Sequence, residues 1–346
     1  MPNSIALFKK YIDLLDEVYK GASLTSALDI NGMMVRAGAN ANEIIIPKIS
    51  MDGLGDYSRS GGYVSGSVKL TNETVTFNYD RGRSFNVDAM DNEESAGIAF
   101  GRLSAEFLRT KAAPEQDAFR FASYAGLSGI SKATDKAFSG NNAAQEILAA
   151  LIDSQNTMDE DEVPGTERYL YITPTLYNLI QNIDTTKSKA VLSSFASITK
   201  VPQSRFYTAI DLRDGLDHSG DSGEDESMGG FKKAAARYKA STDTAVTSGK
   251  TYYTKSGSAY TAVESPTGNP STGSYYELVS AAGRDINFLV LHKPAVIQYN
   301  KHTVNKVITP EANQTSDGWL FFYRSYGLVD AYENKRAGIY LHASTT

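Results

Sequence analysis

The chain has no cysteine among its 346 residues. Disulfides and thiolate metal sites are therefore excluded, and the fold does not need an oxidising compartment. Histidine is scarce: His218, His292, His302 and His342 include no pair three or four residues apart. That rules out an HExxH-type zinc helix. No G-x-S-x-G elbow and no G-x-x-x-x-G-K-[ST] loop occur, and Gly53 and Gly55 lack the third glycine of a dinucleotide fingerprint. A basic excess is missing too. With a net charge of −6, tight nucleic-acid binding by phosphate neutralisation is not expected. No apolar run approaches the roughly 18–20 residues of a membrane helix. Met1–Lys20 lacks the uninterrupted apolar core of a signal peptide. The expectation is a soluble chain made in a cytoplasm, without a membrane partner. In the acidic stretch 211–227, Asp217, Ser219 and Asp221 fit alternate calcium-loop positions. Glycine falls one place late, at 223, and the twelfth position is Met228. A solvated acidic loop is the better reading. No catalytic, cofactor-binding or metal-binding residue emerges.

What is present is a globular composition, 41% apolar and 21% charged, long enough for roughly two domains of about 150 residues. Tyrosine is abundant, 21 copies against one tryptophan. Its apolar ring and polar tip suit half-wet contact surfaces.

The first 45 residues read as an arm. Leu7, Tyr11, Leu14, Leu15 and Val18 stand at helical spacing within 5–19. The run Ile44-Ile45-Ile46 is stopped by Pro47, and a Gly- and Ser-dense stretch follows. Two strand-like runs, 63–70 and 74–85, predict a hairpin turning at Thr71-Asn72-Glu73. Val75, Phe77 and Tyr79 share one face of the second run. An isolated hairpin is marginal in water, so this apolar face needs a cover. Asp80-Arg81-Gly82-Arg83 follows as a mixed-charge corner, with Asp88, Asp91, Glu93 and Glu94 beyond. Such density reads either as a solvated face or as ion pairs between subunits.

Asp91, with Glu94 three residues on, predicts the start of a long helix with Ala96, Phe100, Leu103 and Phe107 as its apolar stripe. Pro114 either kinks it or opens a second helix. Residues 141–300 read as mixed α/β: helices at 144–152 and 174–183, strands at 168–173, 205–210 and 286–292, and a helix at 293–301. Two strands close the chain. Residues 241–280, rich in Thr, Ser, Gly and Tyr, read as a small all-β insertion on a surface loop.

The order of these segments, through "PKISMDGLGDYSRSGGYVSGSVKL", "FYTAIDLRDG", "GRDINFLVLHKPAVIQYNKH" and "DGWLFFYRSYGLVDAYENKRAGIYLHA", resembles a tailed-bacteriophage major capsid protein of the HK97 type. The resemblance covers nearly the whole chain except about 240–281. It implies an α+β fold with an N-terminal arm (1–46), an extended E-loop (47–90) and a P domain with its spine helix (91–139). An A domain (140–302) carrying the 241–280 insertion follows, and terminal strands (303–346) return to the P domain. It implies a shell of pentamers and hexamers enclosing double-stranded DNA, assembled in the host cytoplasm as part of a virion. Its partners would be further copies of itself, a portal and a scaffolding protein: too few residues precede the body to serve as a scaffold, so either a separate scaffolding protein exists, which Met1 favours, or the chain is already processed. The subunit contacts expected are Lys69, Val75, Phe77, Tyr79, Asp80, Arg81 and Arg83, with the hairpin lying across a neighbour. Some relatives crosslink an E-loop lysine to a neighbour's asparagine, and Lys69 and Asn313 stand in comparable regions. Neither enzyme activity nor a cofactor is implied. The alternatives are an encapsulin-like compartment shell and, from another class, a glycan-binding surface module resting on the tyrosines of 241–280.

Overall fold

A computed structural model describes residues 23–29, 36–37, 43–90, 98–134, 138, 140, 142–183, 186–216, 229–263, 266–272 and 275–345. The helix expected at 5–19, the Asp91 cap with Glu94, Ala96 of the helical stripe, and the acidic loop from Asp217 onward lie outside the described residues.

In chain order the first strands are β1 (Arg36–Ala37), β2 (Glu43–Met51), β3 (Val68–Thr76) and β4 (Tyr79–Asp88). Helix α1 (Ile98–Phe107) leads into a π-helical turn, Leu108–Ala112, and then into α2 (Ala113–Gly126). Pro114 stands in the first turn of α2, where a missing N–H leaves no hydrogen bond unmade. Next come β5 (Ser131–Ala133), α3 (Ala143–Glu160), β6 (Arg168–Ile172), α4 (Pro174–Asn182), α5 (Thr186–Ser193) and β7 (Ser197–Lys200). The short strands β8 (Ile210–Leu212), β9 (Phe231–Lys233), β10 (Arg237–Ala240), β11 (Tyr252–Ser256), β12 (Ala259–Val263) and β13 (Tyr276–Ser280) follow. The chain ends with β14 (Ile286–His292), β15 (Val296–Ile308), β16 (Gly318–Ala331) and β17 (Ile339–Ala343). Two compact units result: Met1–Thr110 with Pro294–Lys335, and Lys111–Lys293 with Arg336–Thr346. The terminal strands part company, β16 joining the first unit and β17 the second.

The second unit is built on a five-stranded sheet in the order β5-β17-β14-β6-β7. Its central strands are mostly apolar because both faces are covered. Leu170, Ile172, Phe288, Val290 and Tyr340 pack with Ile147, Leu151 and Met158 of α3 and Leu176 and Ile180 of α4. The spacing of the helical residues, four and seven, gives a single buried stripe. On the other face, Tyr171 meets Phe121 of α2 edge-on at 5.2 Å, and Phe121 meets Phe206 at 4.8 Å. The expected strand at 205–210 is instead a 3-10 turn, Gln203–Arg205, with strand structure starting only at Ile210.

The β-rich insertion forms a four-stranded sheet, β10-β13-β11-β12. It begins at Arg237 rather than at 241, because β10 pairs with β13. Tyr238 stacks on Tyr260 at 4.0 Å, Tyr253 meets Tyr238 at 4.9 Å, and Tyr276 meets Tyr260 at 5.1 Å. These two ring faces are thus turned toward each other. On the opposite face Tyr252 is fully buried. Its hydroxyl donates to Asp243 at 2.6 Å, and the Lys250 ammonium bridges Asp243 at 2.6 Å and Glu277 at 3.0 Å.

In the first unit β16 is central to a three-stranded antiparallel sheet, β15-β16-β4. The helix expected at 293–301 is a correction: after a 3-10 turn at Lys293–Ala295, the chain pairs with β16 from Val296 to Ile308. Twelve residues of partner strand outweigh a weak local preference, and Val296 and Ile297 suit a strand. Phe85, Phe107, Phe321 and Tyr323 form an aromatic cluster, Phe107 lying edge-on to Phe85 at 4.9 Å and to Tyr323 at 5.7 Å.

Candidate assembly interface

The expected hairpin of 63–70 with 74–85 is a correction: the two runs do not pair with each other, β3 and β4 belonging to different sheets. β3 pairs antiparallel with β2, from Met51↔Val68 to Glu43↔Thr76, so Thr71-Asn72-Glu73 lie mid-strand. β4 pairs with β16. The break between β3 and β4 falls at Phe77-Asn78. There the Asn78 amide donates to Val329 O at 2.8 Å and accepts from Val329 N at 3.1 Å. One side chain thus stands in for a strand neighbour while the backbone changes sheets.

The β2–β3 ribbon is closed at its outer end by Asp52, whose carboxylate accepts from Ser67 N at 2.7 Å and Ser67 Oγ at 2.8 Å. These bonds to the ionised form hold the Asp52 carboxyl below its ordinary pKa. Beyond them a turn between Ser58 and Gly62 is allowed by the positive φ of Gly62, 76°. Tyr57 and Tyr63 touch across it at 4.9 Å.

The two faces of the ribbon have different fates. Register places Ile44 opposite Val75, Ile46 opposite Glu73 and Lys48 opposite Thr71 on one face. That face rests on its own unit. Ile44 and Val75 are buried with Ile297 and Leu328, Ile46 and Phe77 packing beside them. Lys48 pairs with Glu333 at 2.6 Å. The other face carries Ile49 opposite Leu70 and Met51 opposite Val68. These four are 58%, 65%, 70% and 74% exposed respectively. With Leu54, Tyr57, Tyr63 and Val64 of the tip, eight large apolar side chains within 49–70 face solvent. Patches of this kind mark interaction surfaces in soluble proteins.

The expected contact residues divide accordingly. Val75 and Tyr79 are each 5% exposed and Phe77 is half-buried. Phe77 stacks on Tyr326 at 4.7 Å with the Lys301 ammonium 4.9 Å from its ring. The apolar face expected to lie on a neighbour is therefore covered by its own chain, a correction that follows from the strand change at Asn78. Lys69 is exposed on the ribbon. The Asp80–Gly82 segment is no corner but the interior of β4, with Arg81 opposite Ser325 and Arg83 opposite Tyr323, both half-buried. Asp80 grips Arg324 with two bonds, 2.9 and 2.7 Å. That pair lowers the Asp80 pKa and raises that of Arg324. Gly82 is required by close approach: a Cβ there would sit 2.9 Å from Tyr323 O. The Asn313 amide is engaged within its own loop. It donates to Ser316 Oγ at 3.0 Å and Gly318 O at 2.9 Å and accepts from Thr315 N and Oγ1 at 3.0 and 2.8 Å. A crosslink to Lys69 would have to undo these bonds.

Ile49, Met51, Val68 and Leu70 were missed because glycine and serine dominate the stretch between them. Their signal was the matched alternation Ile49-x-Met51 and Val68-x-Leu70 on either side of the loop. Among the described residues no group of three or more His, Asp or Glu side chains could hold a metal ion. No described helix is long and apolar enough to cross a membrane.

No protein-family model matches the sequence, and no curated protein matches it. Solved structures match in fold. One from Mycobacterium phage Che8 has a TM-score of 0.50 at 13% identity, covering 92% of this chain and 90% of that one. The crystal structure of a virus-like particle from Pyrococcus furiosus gives 0.50 at 9% identity, covering 97% and 99%. The capsid of Cyanophage P-SCSP1u gives 0.47 at 12% identity, covering 90% and 86%.

Proposed function

We propose that this chain, which has the fold of tailed-phage major capsid proteins of the HK97 type, is the subunit of an icosahedral virion shell. Copies assemble into pentamers and hexamers that enclose double-stranded DNA, in the cytoplasm of the host and with a scaffolding protein and portal as partners. The observation that carries the reading is the β2–β3 ribbon, which leaves eight large apolar side chains in solvent. Heterologous contacts between identical chains close into rings when the rotation permits, and a protruding apolar ribbon on each copy is what such a contact requires. The ribbon then serves as the E-loop, and α1 and α2 form the spine helix of the P domain. The sheet of the second unit is the core of the A domain. The function is structural rather than enzymatic.

The test is electron microscopy of the purified chain with its scaffold, followed by nuclease digestion of the particles. Closed shells that protect DNA support the reading. A stable monomer at high concentration overturns it. The likeness to a virus-like particle over 97% of the chain favours a second reading, an encapsulin-like compartment. Shells that contain protein cargo and no nuclease-resistant DNA would select it.

A further inference from the structure

One face of the sheet at 237–280 is covered by its own tyrosines. Register and alternation put Tyr238 of β10, Tyr276 and Leu278 of β13, Tyr253 and Lys255 of β11, and Tyr260 of β12 on this face. β10 and β12 are the two edges of the sheet, three strand spacings or about 14 Å apart. Their tyrosines nevertheless stack at 4.0 Å, with ring planes 11° apart. Side chains from opposite edges thus lean together across the sheet, and each also meets a ring of a central strand, Tyr238 on Tyr253 and Tyr260 on Tyr276. All four are half-buried, so one cluster is both the core of this face and its outer surface. Leu278 beside them is 40% exposed.

The two faces treat their hydroxyls differently. On the far face the Tyr252 hydroxyl donates to Asp243 at 2.6 Å and accepts from Thr247 N at 3.1 Å. Among the described residues nothing bonds the hydroxyls of Tyr238, Tyr253, Tyr260 or Tyr276. Charge divides in the same way. Asp243 and Glu277 are held together by Lys250 away from the tyrosine cluster. The strands of the tyrosine face carry no carboxylate on that side, and the Lys255 ammonium stands 5.7 Å from the Tyr260 ring. Size limits the occupant. Strands of five residues span about 16 Å, so the face measures roughly 200 Å². A stable protein partner, or a second copy, needs about 800 Å² on each side. Aromatic rings set among free hydroxyls and one ammonium instead fit a short stretch of a saccharide chain. Its C–H faces lie on the rings, its hydroxyls meet the phenols, and an acidic substituent meets the lysine.

We infer that the tyrosine face of the 237–280 sheet binds an acidic polysaccharide, with Lys255 receiving a sugar carboxylate. The test is affinity electrophoresis of the purified full-length chain, assembled or not, so that its outcome is independent of the shell reading. The gels contain polygalacturonate, alginate or hyaluronate, with neutral dextran for comparison. Diffuse attraction does not favour binding, because the chain itself carries a net charge of −6. At least one acidic polymer should retard the chain, and dextran should not. Lys255→Gln should weaken retardation about tenfold, the scale of one charge-assisted bond, and Lys255→Arg should restore it. Tyr238→Phe with Tyr276→Phe keeps the rings and should weaken it a few-fold. Lys239→Gln removes an ammonium from the opposite face, 3.6 Å from Glu277, and should change nothing. Retardation by none of the acidic polymers overturns the inference. So does equal retardation by dextran, or an equal loss from Lys239→Gln. Displacement of the polymer by a single-stranded oligo-dT of equal charge would assign the rings to base stacking and overturn it as well.

Discussion

The β2–β3 ribbon and the four-stranded sheet at 237–280 are both small antiparallel elements with turn-rich sequences, yet they treat their side chains in opposite ways. The sheet turns its tyrosines on one another, Tyr238 on Tyr260 at 4.0 Å. Its other face is closed with Lys250 between two carboxylates. The ribbon covers only its base, leaving Ile49, Met51, Val68 and Leu70 more than half exposed. Strand propensity does not separate the two. The difference lies in where each element's apolar groups find cover: the sheet finds it in its own sequence, whereas the ribbon's outer half leaves its large apolar side chains mostly in solvent. On the proposed shell reading, self-sufficiency suits a tolerated addition and the unmet apolar face suits an assembly surface.

The sharpest way to break this comparison is to charge the pad. Ile49→Asp with Leu70→Asp should abolish shell formation in electron micrographs while the thermal unfolding of the isolated chain moves by less than about 0.5 kcal/mol, the usual scale for surface substitutions. A similar loss of folding would mean that the pad supports its own chain. The base of the ribbon should respond in the reverse sense. Leu328→Ala removes a fully packed neighbour of Ile44 and Val75. It should lower the stability of the first unit by about 2–5 kcal/mol, read by chemical denaturation.

The sheet at 237–280 should respond only locally. Lys250→Met leaves Asp243 and Glu277 without their shared cation and should speed amide exchange across 241–280, with shells still forming. Acid should do the same. The Lys250 ammonium holds the Asp243 carboxyl below its ordinary value of 3.8. The Ser241 hydroxyl, and then Lys250, hold Glu277 below 4.5. Groups with lowered folded pKa values contribute their stabilisation above the unfolded values and lose it as pH falls through the folded ones. Amide protection in 241–280, corrected for the intrinsic pH dependence of exchange, should therefore be flat from neutral pH down to about 5 and fall below about 4. A fall beginning near pH 6 would implicate other groups. The smallest effect is expected from replacing 237–280 by a short Gly-Ser linker, which should leave shell yield unchanged. Lost shells would make this sheet, too, a contact between subunits.

Much of the architecture is legible from local pattern. The stripe Ala144, Ile147, Leu148, Leu151 and Ile152 and the apolar run of 286–292 announced a helix and a doubly covered strand, because burial on one stripe or on both faces leaves its period in the sequence. The small all-β insertion was legible from its turn residues. Its start at Arg237 was not, because β10 is defined only by pairing with β13. The tertiary structure alone decided who pairs with whom. Residues 293–301 became strand because β16 lay alongside. Asn78, unremarkable in sequence, marks where the chain leaves one sheet for another. That switch put Val75 and Tyr79 inside and left Leu70 outside, although all belong to strands of similar alternation. Alternation says which residues share a face. Whether that face meets protein or water depends on neighbours from distant parts of the chain, and only the folded molecule brings them together.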